Sequence, residues 1–203
     1  MKLYCMPGAC SLASHIVAEW TGAPVEIELL NHEQIKQDPY LKINPAGAVP
    51  ALDTGDGILT QNAAILNYLA ETHPQSQLTG DGTPFGHAVV NQWFGILNAD
   101  MHPAFKPLFG AADFLADEAA ISKSKEQARR AVRTHFERIN QQLEGRDWLA
   151  GTRSIADPYL FVLTRWAKGM KIDLAGLNNL ETHFQRMRSD GSVQKALKAE
   201  GLS

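Results

Sequence analysis

Apolar residues change their spacing twice within the first thirty positions. Met1 to Met6 is a short apolar run that predicts a strand, and Leu12, Ile16, Val17 and Trp20 then recur at helical spacing over residues 11 to 21. Val25-Glu26-Ile27-Glu28-Leu29 alternates strictly, the two-residue period of a second strand. Residues 31 to 43 are polar and interrupted by Pro39, leaving room for no more than a short irregular helix. The apolar stretch GAVPALD, with β-branched Val49, predicts a third strand. TGDG at 54 to 57 is a hairpin turn signal leading into a fourth, Ile58-Leu59-Thr60. From Asn62 the positions Ala63, Ile65, Leu66 and Leu69 follow a helical period that stops before Pro74.

The pattern then changes. PQSQLTGDGTP at 74 to 84 is dense in turn formers, and everything beyond it has helical spacing: 85 to 102 up to Pro103, about 117 to 144, 155 to 168, and two shorter helices towards Leu202. No repeat or low-complexity segment is visible. The reading is a small α/β domain over 1–76, ordered strand-helix-strand, irregular connection, strand-strand-helix. A linker at 77–84 and an all-helical domain over 85–203 follow.

Bulk properties narrow the function classes. The chain has 203 residues, 44% hydrophobic and 20% charged, with a formal charge of −3, so nothing electrostatic points to nucleic acid or a membrane surface. The pair Arg129-Arg130 sits among acidic neighbours and reads as a solvated helix face. No apolar run approaches a membrane span, no secretory leader is visible, and the cytoplasm is the expected compartment. Two cysteines without C-x-x-C spacing argue against a disulfide scaffold or a zinc site, and no metal is expected.

Three features carry chemistry. Cys10 stands where a strand gives way to a helix, and helix-terminal N–H groups there favour thiolate over thiol; a buried, inert cysteine is the competing reading. For Cys5, which alternates with Leu3 in the first strand, the inert reading is preferred. Pro50 falls where a strand is expected: a cis Val49-Pro50 bond would free the main-chain groups of Val49 to clamp an extended peptide, whereas an ordinary trans proline would only start the strand. Thr60-Gln61-Asn62 precede a helix, so Thr60 or Asn62 is a capping candidate, and a ligand carboxylate is the alternative occupant of that N-terminus.

In this order the features resemble the glutathione transferase superfamily, over essentially the whole chain. PGACSLASHI is similar to the bacterial beta class, which carries a cysteine here; NPAGAVPAL resembles the segment through the family's cis-proline, QNAAILNYLA its glutathione-binding helix, and SIADPYLF a motif of the helical domain. Within that last motif Ser154 and Asp157 also have the spacing of a capping box, read here as helix initiation alone. The resemblance implies a thioredoxin-like β-α-β-α-β-β-α domain plus an all-α domain, glutathione as co-substrate, a hydrophobic electrophile bound between the domains, and a homodimer. It implies that Cys10 meets the glutathione sulfur and forms a mixed disulfide with it, and that the Val49 backbone beside Pro50 pairs with the cysteinyl part. It implies further that Gln61 and Asn62 hold the γ-glutamyl end, and that His102 is a hydrogen-bond partner of the sulfur. Met6, Phe105 and Trp166 are the candidates for the electrophile pocket, and Lys36 for the glycyl carboxylate. The chain departs from the family pattern at Gln61-Asn62, at Gly95 where an asparagine is common, and at Pro103 where a basic residue often follows the histidine. Two other functions suit the same residues: a glutathione-dependent oxidoreductase or dehalogenase, and a non-catalytic binding protein.

Overall fold

In the computed structural model, which describes residues 1–202, strand β1 (Lys2–Cys5) leads into helix α1 (Ser11–Thr21) and strand β2 (Glu26–Leu29). A short 3-10 turn at Gln34–Lys36 and a four-residue helix α2 (Asp38–Leu41) follow, as the polar stretch broken by Pro39 predicted. Then come β3 (Ala51–Asp53), β4 (Ile58–Thr60) and α3 (Asn62–Thr72). The four strands form one sheet ordered β2-β1-β3-β4, with β2 parallel to β1 and the other pairings antiparallel; Leu3 is flanked by Ile27 and Leu52.

Alternation along β1 explains the layers. Leu3 and Cys5 face α1 and α3, where they join Leu12, Ile16, Ile65, Leu66 and Leu69. Tyr4 faces the other way and meets Ile35 and Tyr40 from the irregular connection. Cys5 is fully buried, a core filler as its position in the strand implied.

The second part is helical: α4 (Pro84–Gly95), α5 (His102–Ala104), α6 (Glu118–Gln142), α7 (Ala156–Gly169), α8 (Asn178–Ser189) and α9 (Gly191–Ala199). Thr83, Asp117 and Asp190 cap α4, α6 and α9 through their side chains. Helix α7 is buried along most of its length and packs on α1, so one apolar cluster runs from the sheet into the helical part, with Leu78 of the connecting segment inside it.

Two expectations are corrected. The helix entered at Pro84 does not run regularly to Pro103. Ile96–Met101 is a π-helical segment closed by a bond from the His102 N–H to the Leu97 carbonyl, five residues back. The chain then starts α5 with Pro103 in its first turn, where a missing N–H leaves no bond unmade. Asp157, in turn, does more than start α7. One carboxylate oxygen accepts from the Ser154 N–H and hydroxyl; the other accepts from the Leu149 N–H and sits 3.0 Å from His183 Nε2. It ties three segments together at zero solvent exposure.

Candidate active site

A cleft of about 480 Å³ opens between the two parts, and all six sequence-predicted residues, Cys10, Val49, Pro50, Gln61, Asn62 and His102, line it. Cys10 takes the N-cap position of α1 with no side-chain capping bond of its own, and its Sγ lies 3.5 Å from the Val49 carbonyl. The Val49-Pro50 bond is cis. The thiol does not behave as its place at a helix N-terminus implied. Burial pushes it up to about 11, outweighing the amide of Asn62 and the N–H groups of Cys10 and Ser11, which pull it down. At neutral pH Cys10 is therefore a thiol, able to donate a hydrogen bond to a sulfur placed beside it.

Asn62 is nearly buried, and its side chain turns inward rather than capping α3 or facing out along the helix axis. Its Oδ1 accepts from the Ser14 hydroxyl at 2.8 Å while its amide reaches the Cys10 sulfur. Thr60 ends β4, and no side chain caps α3, so the first N–H groups of that helix stay open towards the cleft. Gln61 precedes them at φ 70°, a left-handed conformation that costs a non-glycine residue about 1–3 kcal/mol.

His102 meets residues that the sequence did not single out. Tyr159 Oη donates to Asn98 Oδ1 at 2.9 Å and lies 2.6 Å from His102 Nδ1. A phenol has one proton to give. Because Asn98 Oδ1 can only accept, that proton is assigned to Asn98 and Nδ1 of His102 to the donor role in the shorter bond. Burial, and secondarily Lys106, hold the imidazole below its usual range, so the ring is neutral at pH 7 and its Nε2 keeps a free lone pair. Asn98 and His102 lie four residues apart on either side of the π turn's close, which brings both to the same hydroxyl. Their spacing and the tyrosine within SIADPYLF were the available signals.

Other predicted residues fall elsewhere. Lys36 Nζ is held by the Gly47 carbonyl at 2.7 Å and does not line the cleft; Lys106, one turn beyond His102, does. Phe105 is wholly buried and Met6 borders a separate cavity near Leu30. Trp166 stands behind His102, ring centroids 4.9 Å apart, instead of facing the cleft. None of the three lines this cleft, and Phe105 has no exposed surface to offer an electrophile. A Cβ on Gly95 would meet open space, so the glycine there answers no close approach.

A thiol at the start of the first helix, a cis-proline opposite it and an all-helical partner packed against α1 define a thioredoxin-like enzyme of the glutathione-handling class. The glutathione S-transferase N-terminal domain matches residues 1–71 and its C-terminal domain residues 96–190. The chain is 52% identical to glutathione S-transferase GST-4.5 of Xanthomonas campestris pv. campestris over the full length of both. Among solved structures it superposes on a glutathione S-transferase from Xylella fastidiosa with a TM-score of 0.97 and 46% identity, covering 100% of this chain and 99% of that one. A bacterial beta class enzyme from Sphingomonas chungbukensis gives 0.88 and 36%, and a sphingomonad glutathione S-transferase complexed with glutathione 0.88 and 35%, each covering 100% of both chains. The chain belongs to the glutathione S-transferase family.

Proposed function

We propose that this transferase binds glutathione in the cleft beside Cys10 and adds it to hydrophobic electrophiles, with thiol–disulfide exchange at Cys10 as a companion reaction. The observation that carries the reading is the convergence, on one cleft, of the Cys10 thiol, the free Nε2 of His102 and the backbone of Val49. Val49 N–H has no hydrogen-bond partner among the described residues and is free to pair with an extended peptide. The open first turn of α3, with Gln61 beside it, suits the γ-glutamyl carboxylate. Lys106 supplies the positive charge first sought at Lys36.

In conjugation, His102 Nε2 takes the glutathione proton while Cys10 donates a hydrogen bond to the sulfur. The sulfur lone pair forms the new bond to carbon, and the leaving group departs with its electron pair. In exchange, ionised Cys10 attacks the glutathionyl sulfur of a mixed disulfide, giving a Cys10–glutathione disulfide and releasing the other thiolate. A glutathione thiolate then attacks that disulfide, restoring Cys10 and leaving as oxidised glutathione. A resting pKa of about 11 makes Cys10 a better donor than nucleophile at neutral pH, which favours conjugation over the oxidoreductase reading. A homodimer in the cytoplasm completes the proposal; Phe85 on α4, 78% exposed, is apolar surface that a second copy would cover.

The test compares wild type and Cys10→Ala with 1-chloro-2,4-dinitrobenzene and with hydroxyethyl disulfide. Conjugation that is weakened but present, with exchange abolished, is the expected result. Failure of the wild type to bind millimolar glutathione calorimetrically would overturn the proposal and leave a non-catalytic binding protein.

A further inference from the structure

The loop from Met6 to Cys10 carries the thiol, and residues far along the chain hold it. Gly8, two positions before Cys10, adopts φ 73°. Its N–H donates to Glu200 Oε2 at 2.9 Å, and its carbonyl accepts from Trp166 Nε1 at 2.8 Å. Glu200 is 4% exposed, and its other oxygen lies 2.9 Å from Nδ1 of the buried His15 on α1. Neither Gly8 bond closes a helix or extends a strand, so secondary structure does not account for them.

Trp166 has a second contact. The same indole that grips Gly8 presents an edge-on contact to the His102 ring. It therefore joins the loop bearing Cys10 to the opposite wall of the cleft. Leu202 closes the remaining side of the loop, 3.7 Å from where a Cβ on Gly8 would stand. Local bonds hold Met6 to the Ser11 hydroxyl and the Ala9 N–H, and the Ala9 and Cys10 carbonyls to the Leu12 and Ala13 N–H groups, but none of them reaches Gly8.

We propose that Glu200 and Trp166 are positioning residues for the transferase site, a clamp from the helical part that fixes Gly8 and thereby sets Cys10 against His102. The catalytic consequence rests on the reading of Cys10 and His102 given above. The placement of the thiol does not, and it is tested separately.

The experiment labels the full chain with iodoacetamide and follows Cys10 and Cys5 separately by peptide mapping. Cys5 is a built-in reference, since it is fully buried in β1 and reacts only when the whole fold opens. Trp166→Phe keeps an aromatic ring at His102, removes the N–H donor and gives up part of the indole's packing on Phe105 and Phe109. It is expected to raise Cys10 labelling about 2- to 13-fold, the ratio set by one net hydrogen bond, with Cys5 unchanged. Glu200→Ala is expected to do the same, and Glu200→Gln, which keeps an oxygen for the Gly8 N–H, to return most of the protection. In the transferase assay the same variants should lower kcat with little change in KM for glutathione. Cys5 and Cys10 rising together, or Cys10 labelling unaltered in both Trp166→Phe and Glu200→Ala, would overturn the clamp. Altered labelling in a chain that binds no glutathione would keep the clamp and discard the transferase mechanism.

Discussion

Replacing Tyr159 by Phe removes a single oxygen that accepts from His102 Nδ1 and donates to Asn98. The ring itself keeps its packing against Phe94, 5.2 Å between centroids. Two consequences separate. Each lost bond between neutral partners is worth about 0.5–1.5 kcal/mol, so the tautomer with its proton on Nδ1 loses a preference of about 2- to 13-fold. Whenever the proton moves to Nε2, the imidazole no longer accepts the glutathione proton. We expect kcat to fall by up to that factor, well inside the 10²–10⁴-fold that removal of a general base costs. The stability cost is about 1–3 kcal/mol, for a partly buried Asn98 oxygen left without a donor. The acid limb of kcat/KM should lie below pH 6.5 in the wild type, because burial and Lys106 both disfavour the imidazolium. Nitrogen-15 NMR of His102 reads the tautomer directly, and stopped-flow conjugation gives kcat. A wild-type ring protonated at Nε2, or a Tyr159→Phe enzyme with unchanged kcat and unchanged ring-nitrogen signals, would refute the reasoning.

Four further outcomes follow from the structure. Alkylation of Cys10 in the absence of glutathione should climb about tenfold per pH unit through pH 8 to 10 and level off only near 11, whereas a plateau near pH 9 would show that burial does not govern the thiol. The same shift has a stability sign. The folded chain holds the proton that the unfolded chain releases from its ordinary 9.0, so the contribution is complete below pH 9 and lost towards 11, by at most about 3 kcal/mol, as urea titrations against pH would show. Asn62→Leu removes a donor to the thiol and an acceptor for Ser14; Cys10 alkylation at pH 9 should slow and stability drop by about 1–3 kcal/mol in denaturant melts. Asp157→Ala leaves the Leu149 and Ser154 N–H groups and His183 without their shared acceptor, and should cost about 3–5 kcal/mol of unfolding free energy, with loss of soluble protein as the extreme result.

Much of the architecture is local in origin. The 3.6-residue recurrence of Leu12, Ile16 and Val17 places α1 at Ser11–Thr21, the span read from the sequence, because an apolar stripe at that spacing can be buried by one side of one helix. Alternation in β2 and the TGDG turn before β4 are equally local, and both strands appear where the pattern placed them. The six predicted cleft residues were legible through motifs: each sits at a strand end, a helix start or a proline, where short-range sequence shows its position.

What was not legible depends on segments meeting. Asn98 and Tyr159 are 61 residues apart, and a proton's direction between them has no trace in either neighbourhood. Pro103 reads as a helix stop until the π turn before it shifts the hydrogen-bond register by one residue. Phe105 reads as a pocket wall from its apolar character, but it is wholly buried, edge-on against Trp166 of α7.

By itself, then, the sequence determined the order of elements, their boundaries to within a few residues, and which side chains stand at the mouths of loops. These follow from periodicity and from turn chemistry acting over fewer than ten residues. Only the tertiary structure decided the chemistry of those side chains. The helix N-terminus draws Cys10 towards thiolate, but desolvation by everything folded around it is the larger effect and reverses the sign. His102 acquires its tautomer from a tyrosine on another helix, and the thiol's loop is held from Glu200 and Trp166. Proton affinity and placement are set by the full surroundings of an atom, and those surroundings exist only once distant segments have packed.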